Sequence, residues 1–457
     1  MLDTAVSSKQ HRPQFLKCLQ NMRSISVDKY CTNYGKSVVL FYRWKNYLWR
    51  WLSNRQIFVE SIKLRKNDAR SDMIIPSLRN VVSFLFEDDD VRFLIRNCPL
   101  LRSLCLEFTN VSHIGLGLLT NLSQSLEELT IDLAEIDDRA QVAAALIDVL
   151  RQCTRLRKVS LALEALRAVN LNELLPYGHL FHELHLHSGR GESSVGAYVQ
   201  SISTLVTTCN GLRKLVYFGG GIEEDSLVLS AIHQSCPLLE ELDLSAFSFA
   251  YADGFALITR KCKHIRTLQF AHSHVSPSIV RSIAHMEAIN DLAFNECKGL
   301  TDVEMAMIVT MRLKELCFFN CKNLIDVSRQ SFVGSNISRT LESFALINSN
   351  FTTSSVDDIQ LAISLASCHN LKKIFVRSSN PWVFGSSGLE GLEALAAGCP
   401  LLAEVYLDLT DSGIHYLAAH CANLKTCMVF NRRADSISPV SVSFDDLRTL
   451  YPAVEWQ

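Results

Sequence analysis

The sequence predicts an α/β repeat array. Three observations predict it: a recurring Cys-x-x-apolar-x-x-apolar-x-apolar segment, a spacing of 20 to 31 residues between copies, and helical spacing of apolar residues in the intervals. The cysteine-bearing segments are CPLLRSLCLE (98–107), CTRLRKVSLA (153–162), CNGLRKLVYF (209–218), CPLLEELDLS (236–245), CKHIRTLQFA (262–271), CHNLKKIFVR (368–377), CPLLAEVYLD (399–408) and CANLKTCMVF (421–430).

Related segments without that cysteine fill the gaps. They include SLEELTIDL (125–133), LFHELHLH (180–187), AINDLAF (288–294), RLKELCFF (312–319) and TLESFALI (340–347). Two weaker ones come earlier, FVESIKL (58–64) and NVVSFLF (80–86). Counted by the first apolar residue, units start at 59, 81, 101, 126, 156, 181, 212, 239, 265, 289, 313, 341, 371, 402 and 424. The closing YPAVEWQ mimics CPLL and opens one more at Val454, so 57–457 reads as about 15–16 repeats.

Each element follows from residue chemistry. Apolar residues three and five places after the first suit a short strand with one buried face. Helices are read from Val142-Leu146-Val149-Leu150, Leu229 with Ile232, and Ile414-Leu417-Ala418. Asp411 and Ser412 before Ile414, and Asp302 before Val303, read as helix caps. Eight places after the first apolar residue stand Asn67, Cys297, Cys321, Ser349, Ser379 and Thr410, small polar side chains suited to backbone groups where a strand ends. The acidic run Glu87-Asp88-Asp89-Asp90 reads as a solvated turn.

Composition narrows the function. Hydrophobic residues make up 48% of 457, enough for a long core, and the net charge of −2 offers no general attraction to nucleic acid or an anionic membrane. No run of apolar residues is long enough to span a bilayer. The 15 cysteines lack a tight Cys-x-x-Cys pair, and the opening MLDTAVSSKQ lacks a basic stretch leading into an apolar one. Reduced thiols and a cytoplasmic or nuclear location are expected. Nine or ten cysteines are core by position. No phosphate-binding loop or nucleophile elbow appears, and Gly219-Gly220-Gly221 reads as a turn. No enzyme, catalytic residue or cofactor is expected.

This repeat resembles the cysteine-containing leucine-rich repeats of F-box proteins and of a few relatives without the F-box. The resemblance covers 59–457, with DSGIHYLAAHCANLK (411–425) its best unit. It implies a right-handed leucine-rich-repeat solenoid, a horseshoe with parallel concave strands and convex helices. It further implies a substrate-recognition subunit of an SCF-type cullin-RING ubiquitin ligase, with an N-terminal F-box docked on a Skp-type adaptor. Residues 36–48 resemble the last F-box helix, with Arg43 and Trp44 matching its Arg-Trp pair. Pro13, Leu16 and Leu19 match its Pro-x-x-Leu opening, although Gln14 and Phe15 stand where an acidic residue usually follows. The other reading of 1–56 is a cap, with Met22, Ile25 and Val27 as one more strand behind Cys18. The chain is then an interaction scaffold without ligase coupling.

Strand positions two, four and six after the first apolar residue face a partner. In the middle units they are mostly polar. Toward the C-terminus they become Cys317, Phe319, Ala345, Ile347, Phe375, Tyr406, Met428 and Phe430, with Lys373, Arg377, Arg432 and Arg433 as a rim. Trp382 and Phe384 sit on the long loop 378–388. The partner-binding expectation is Phe319, Ile347, Phe375, Arg377, Trp382, Phe384, Tyr406, Met428 and Phe430 for a protein substrate. For the adaptor it is Pro13, Leu16, Arg43 and Trp44. The cluster His182, His185 and His187 invites a metal reading but offers too few convergent ligands; a polar strand face is the expectation, with no metal.

Overall fold

The structure is a computed structural model. It describes residues 24–26, 61–64, 87–106, 111–132, 139–162, 171–187, 195–219, 222–247, 252–321, 332–347, 355–377, 389–407, 409–429, 447 and 450–456. The chain divides into two compact units, residues 1–187 with 201–212, and residues 188–200 with 213–457.

In the first unit six strands run parallel in chain order: β1 (Ser24–Ser26), β2 (Ser61–Leu64), β3 (Ser103–Leu106), β4 (Glu128–Asp132), β5 (Lys158–Ala162) and β6 (Phe181–His187). Between them lie α1 (Asp88–Asn97), α2 (His113–Leu118) continuing into a 3-10 turn at Leu119–Leu122, α3 (Arg139–Gln152) and a 3-10 stretch at Leu171–Leu180. The helix α4 (Val195–Thr208) runs across the division.

The second unit repeats the plan with one strand per repeat. Its strands are β7 (Lys214–Phe218), β8 (Glu241–Ser245), β9 (Thr267–Ala271), β10 (Asp291–Asn295), β11 (Glu315–Phe319), β12 (Ser343–Ile347), β13 (Lys373–Arg377), β14 (Glu404–Leu407), β15 (Thr426–Val429) and β16 (Glu455–Trp456). The intervening helices are α5 (Ile222–Ser235), α6 (Ala252–Lys261), α7 (Pro277–Ala284), α8 (Asp302–Ile308), α9 (Ser355–Leu365), α10 (Glu390–Gly398) and α11 (Asp411–His420). A 3-10 turn, Ile337–Arg339, precedes β12. Parallel strands joined in sequence by helices, in phase with a Cys-x-x-Leu turn, make this an α/β leucine-rich-repeat fold.

The repeat chemistry explains the stacking. In most repeats the cysteine ends the helix: Cys236 N–H donates to Ile232 O at 3.0 Å and Cys399 N–H to Leu395 O at 2.9 Å. Three residues on, the Leu239 and Leu402 N–H groups donate back to those cysteine carbonyls. A small side chain fits there because the next repeat lies against it; the Cys262 thiol reaches the Cys236 carbonyl at 3.3 Å. Ahead of each strand, one carbonyl accepts two successive N–H groups of the next repeat, as Arg266 O does from Asn290 and Asp291 at 2.8 and 3.0 Å.

Where strands β8 to β11 end, Ala246, His272, Glu296 and Asn320 adopt positive φ of 50 to 54°. Each donates its N–H to the end of the following strand, as Glu296 does to Phe319 O at 2.7 Å. This left-handed residue turns the chain, and the neighbouring repeat's carbonyl holds it there. Side chains at the next position complete the turn. The Ser273 hydroxyl donates to Ala271 O and Leu244 O; the Cys297 thiol to Phe270 O and Asn295 O; the Cys321 thiol to Phe294 O and Phe319 O. The expectation for Cys297 and Cys321 is met in geometric detail. Beneath them Phe270, Phe294 and Phe318 are fully buried and stacked, with centroids 5.7 and 5.6 Å apart.

Several expectations need correction. β2 pairs directly with β3, Ser61 beside Ser103, with no strand between them, and the unit expected at 81 lies outside the described residues. A strand stands at Ser24–Ser26, with Ile25 beside Ile62. Pro13, Leu16, Arg43 and Trp44 lie outside the described residues.

The helix caps sit one residue earlier than expected. Thr410 Oγ1 accepts from Gly413 N–H, and Thr301 Oγ1 from Val303 N–H, with the Glu304 carboxylate accepting the Thr301 N–H at 2.7 Å. Threonine supplies the same oxygen as the aspartates that were expected. The acidic run is no solvated turn. It begins α1: Asp90 is 6% exposed and accepts from Glu87 N–H, while Asp88 accepts from the N–H and hydroxyl of Ser112, the cap of α2. Carboxylates in a first helical turn complement its unsatisfied N–H groups.

Register is regular except at two places. Between β5 and β6 it shifts at Val159/Ser160, so Glu183 stands beside Ser160 instead of Lys158. The last strand places Glu455 beside Thr426, one residue out of step with an anchor at Val454.

Candidate protein-interaction face

Alternation divides each strand of the second unit into a buried row and an open row. Leu242 and Leu244, Leu268 and Phe270, Leu292 and Phe294, and Leu316 and Phe318 are all buried. The residues between them form the open face, and the register carries them across the sheet. One row runs Asp243, Gln269, Ala293, Cys317, Ala345, Phe375, Tyr406 and Met428. The row before it runs Glu241, Thr267, Asp291, Glu315, Ser343, Lys373, Glu404 and Thr426. In the row after it, Ser245, Ala271 and Ile347 are buried, while Asn295 and Phe319 are half-buried.

Phe375 and Tyr406 come together as expected. Their rings stack at 5.3 Å with an interplanar angle of 13°, both half-buried. Lys373 lies beside them, its Nζ 5.2 Å from the Tyr406 ring centroid and 2.7 Å from Glu404. The ammonium is thus held over the ring by a carboxylate, and Tyr406 Oη donates to Glu404 at 3.3 Å. Reading the sequence alone missed Glu404. The signal was present, since Lys373 and Glu404 hold the same position in successive units.

Phe319 is half-buried at the end of β11. Ile347, expected in the exposed strip, is 5% exposed. It is buried instead of presenting itself, and its removal from the strip is a correction. Trp382, Phe384 and Phe430 lie outside the described residues, as do Arg432 and Arg433. The backbone places Met428 beside Tyr406 and Arg377 beside Ile347.

The described cysteines are free thiols, and all but Cys317 are buried. Burial pushes Cys209, Cys297, Cys368, Cys399 and Cys427 up to about 12, and Cys98, Cys153, Cys262, Cys321 and Cys421 up to about 11. Protonated thiols of that kind serve as small packing groups.

In the first unit, His185 Nε2 lies 3.4 Å from Glu183, and His182 Nδ1 lies 3.0 Å from Leu180 O. Among the described residues no three His, Cys, Asp or Glu side chains gather as a metal site. No helix among them is long and apolar enough to cross a membrane.

No family model matches the chain, and no curated protein matches it. Solved structures do resemble it. The complex of Rad7 and Elc1 in yeast shows 14% identity over 98% of each chain, with a TM-score of 0.40. An internalin from Listeria monocytogenes shows 14% identity over 74% of this chain and 81% of that one, with a TM-score of 0.35. The leucine-rich-repeat-containing protein LegL7 from Legionella pneumophila shows 11% identity over 67% and 93%, with a TM-score of 0.38. The assignment of the leucine-rich-repeat fold rests on the strand order, register and turns described above.

Proposed function

We propose that this chain is a protein-binding leucine-rich-repeat protein that holds its partner on the open face of strands β11 to β14. The observation that carries the reading is the stacked Phe375–Tyr406 pair, two large rings in register and half-exposed on a strand face. Aromatic side chains on a rigid sheet lose little entropy on binding and bury large areas. Trp382, Phe384, Met428, Phe430 and Arg377 extend the proposed surface.

The finer reading is substrate recognition for an SCF-type ubiquitin ligase. It is supported by the cysteine-containing repeats and by the likeness of Pro13, Leu16, Arg43 and Trp44 to an F-box. Its test is co-purification of the full chain with a Skp-type adaptor. Stoichiometric recovery, weakened by Trp44→Ala, supports it. No recovery with the intact chain removes the ligase role and leaves the scaffold. The strand at Ser24–Ser26 favours that second reading, because it places a sheet strand inside the span of the F-box-like stretch.

A further inference from the structure

Beyond the proposed binding face, we infer that the strand-entry edge of β9 to β11 docks an acidic protein segment, one carboxylate of which lies over Asn290 between Arg266 and Lys314. The juxtaposition that points to it is a place flanked by two cations that carries an amide where equivalent places in this fold carry a glutamate.

The residues just before the strands form one row. The backbone fixes it, because each of their carbonyls accepts two N–H groups of the next repeat: Arg266 O from Asn290 and Asp291, and Asn290 O from Lys314 and Glu315. In the second unit the row runs Arg213, Glu240, Arg266, Asn290, Lys314, Glu342 and Lys372. Charge alternates along it except at Asn290. Glu240 is bonded by Arg213, and Glu342 by Lys372 at 2.6 Å. In the first unit Glu127 stands between Arg102 and Arg157 in the same row position, 3.9 Å from Arg102. Each of these glutamates has a cation on both sides in its row.

Asn290 has the same two cations and no charge of its own. Arg266 and Lys314 are exposed, and neither forms an ion pair within the row or outside it among the described residues. The carboxylates close by in sequence do not complete the alternation. Glu287 is exposed on the turn before β10, while Asp291 and Glu315 belong to the following row, where the Thr267 hydroxyl donates to Asp291 Oδ2 at 3.1 Å. The turns that build this edge, 236–240, 262–266, 286–290 and 311–314, are described throughout.

Relief favours the same place. Two residues earlier in each repeat, half-buried Ala288 falls between exposed His264 and exposed Arg312. The repeat that carries Asn290 is thus low, and its neighbours are taller and basic. Strands lie about 4.8 Å apart, which sets Arg266 and Lys314 about 10 Å apart with Asn290 midway. Side chains of their length close on one carboxylate from either side. A carboxylate on a neighbouring polypeptide strand is what this spacing already accommodates at Glu127, Glu240 and Glu342, and that argues for an acidic polypeptide as the occupant. Exposed ion pairs each contribute little. The edge therefore selects its partner by sign and speeds encounter.

Fluorescence anisotropy of the full chain with a fluorescein-labelled peptide of alternating glutamate and serine tests this at low ionic strength. The parent chain should bind it, and Asn290→Glu should weaken binding about fivefold, as two exposed ion pairs of ordinary strength provide. That variant should melt at the same or a higher temperature, because an internal carboxylate then fills the row. Arg266→Gln/Lys314→Gln should weaken binding at least as much. Lys425→Gln, which changes net charge equally on the same edge at β15, should leave it nearly unchanged. Absence of binding, or equal weakening by Asn290→Glu and Lys425→Gln, would overturn the inference. Tighter binding of oligothymidine or of phosphatidylserine vesicles, with the same response to Asn290→Glu, would overturn the protein occupant. Phe375→Ser/Tyr406→Ser should bind the peptide as the parent does; loss there would place the peptide on the aromatic face and remove the edge site.

Discussion

The Phe375 and Tyr406 rings lie 5.3 Å apart and nearly parallel on adjacent strands β13 and β14, at positions that alternation turns away from the core. Such a pair contributes about 0.5–1.5 kcal/mol beyond its buried area. A double-mutant cycle with Phe375→Ala and Tyr406→Ala should therefore give a coupling near 1 kcal/mol in urea unfolding. Costs above about 3 kcal/mol for either single change would mark the rings as core.

The position after the left-handed residue makes a sharper prediction. The Cys297 thiol bonds two carbonyls, Phe270 O and Asn295 O, and the Ser273 hydroxyl makes the equivalent pair one repeat earlier. Cys297→Ser should be nearly neutral. Cys297→Ala removes both thiol hydrogen bonds, while Asn295 O keeps the His272 N–H, and should cost about 0.5–1.5 kcal/mol by thermal or urea unfolding. Equal effects of the two substitutions would show that volume alone matters there.

The buried phenyl stack should be costly to interrupt. Phe294 sits between Phe270 and Phe318, with no exposed surface. Phe294→Ala should cost about 3–5 kcal/mol. Hydrogen exchange should show the loss concentrated in β9 to β11, because each repeat is supported by its neighbours. A loss spread evenly over both units would contradict that local accounting.

Alkaline pH should unfold the chain through its thiols. Burial raises ten of them from 9.0 to about 11 or 12, so the folded state holds these protons more tightly than the unfolded chain. Their contribution is complete below pH 9 and is lost as pH rises toward 11–12, at up to about 1.4 kcal/mol per pH unit for each thiol. Melting temperature should fall steeply from pH 9 to 10 and change little from pH 7 to 8. At pH 7.5, with Cys18 and Cys31 replaced by serine, iodoacetamide should label Cys317 well ahead of the rest, since it is the half-buried thiol among the described cysteines. Labelling spread across the buried cysteines would show that they are not packing groups.

Much of the fold was legible because a repeat averages its own noise. Leu242, Leu268, Leu292 and Leu316 fall in step, so each copy confirms the phase of the others. Isolated features were harder. NVVSFLF at 80–86 has the right apolar alternation, but alternation does not say which strand a segment pairs with, and β2 goes straight to β3. Caps at Thr301 and Thr410 were missed by one residue because several side chains in a row supplied a suitable oxygen. On the proposed face, Phe375 and Tyr406 were singled out because both hold the fourth position of their units, and the structure stacks their rings. Ile347 was misplaced because alternation does not report burial at the end of a strand, where Ser245 and Ala271 at the same position are buried too.

The account is tested most directly by quantitative affinity capture with the full chain and with Phe375→Ser/Tyr406→Ser, each folded to the same melting temperature within about 3 °C. The account predicts that a defined set of proteins captured by the parent chain is lost from the variant, and that the same partners slow alkylation of Cys317. Retention of that set by the variant, with Cys317 equally reactive in the presence and absence of partner, would contradict it.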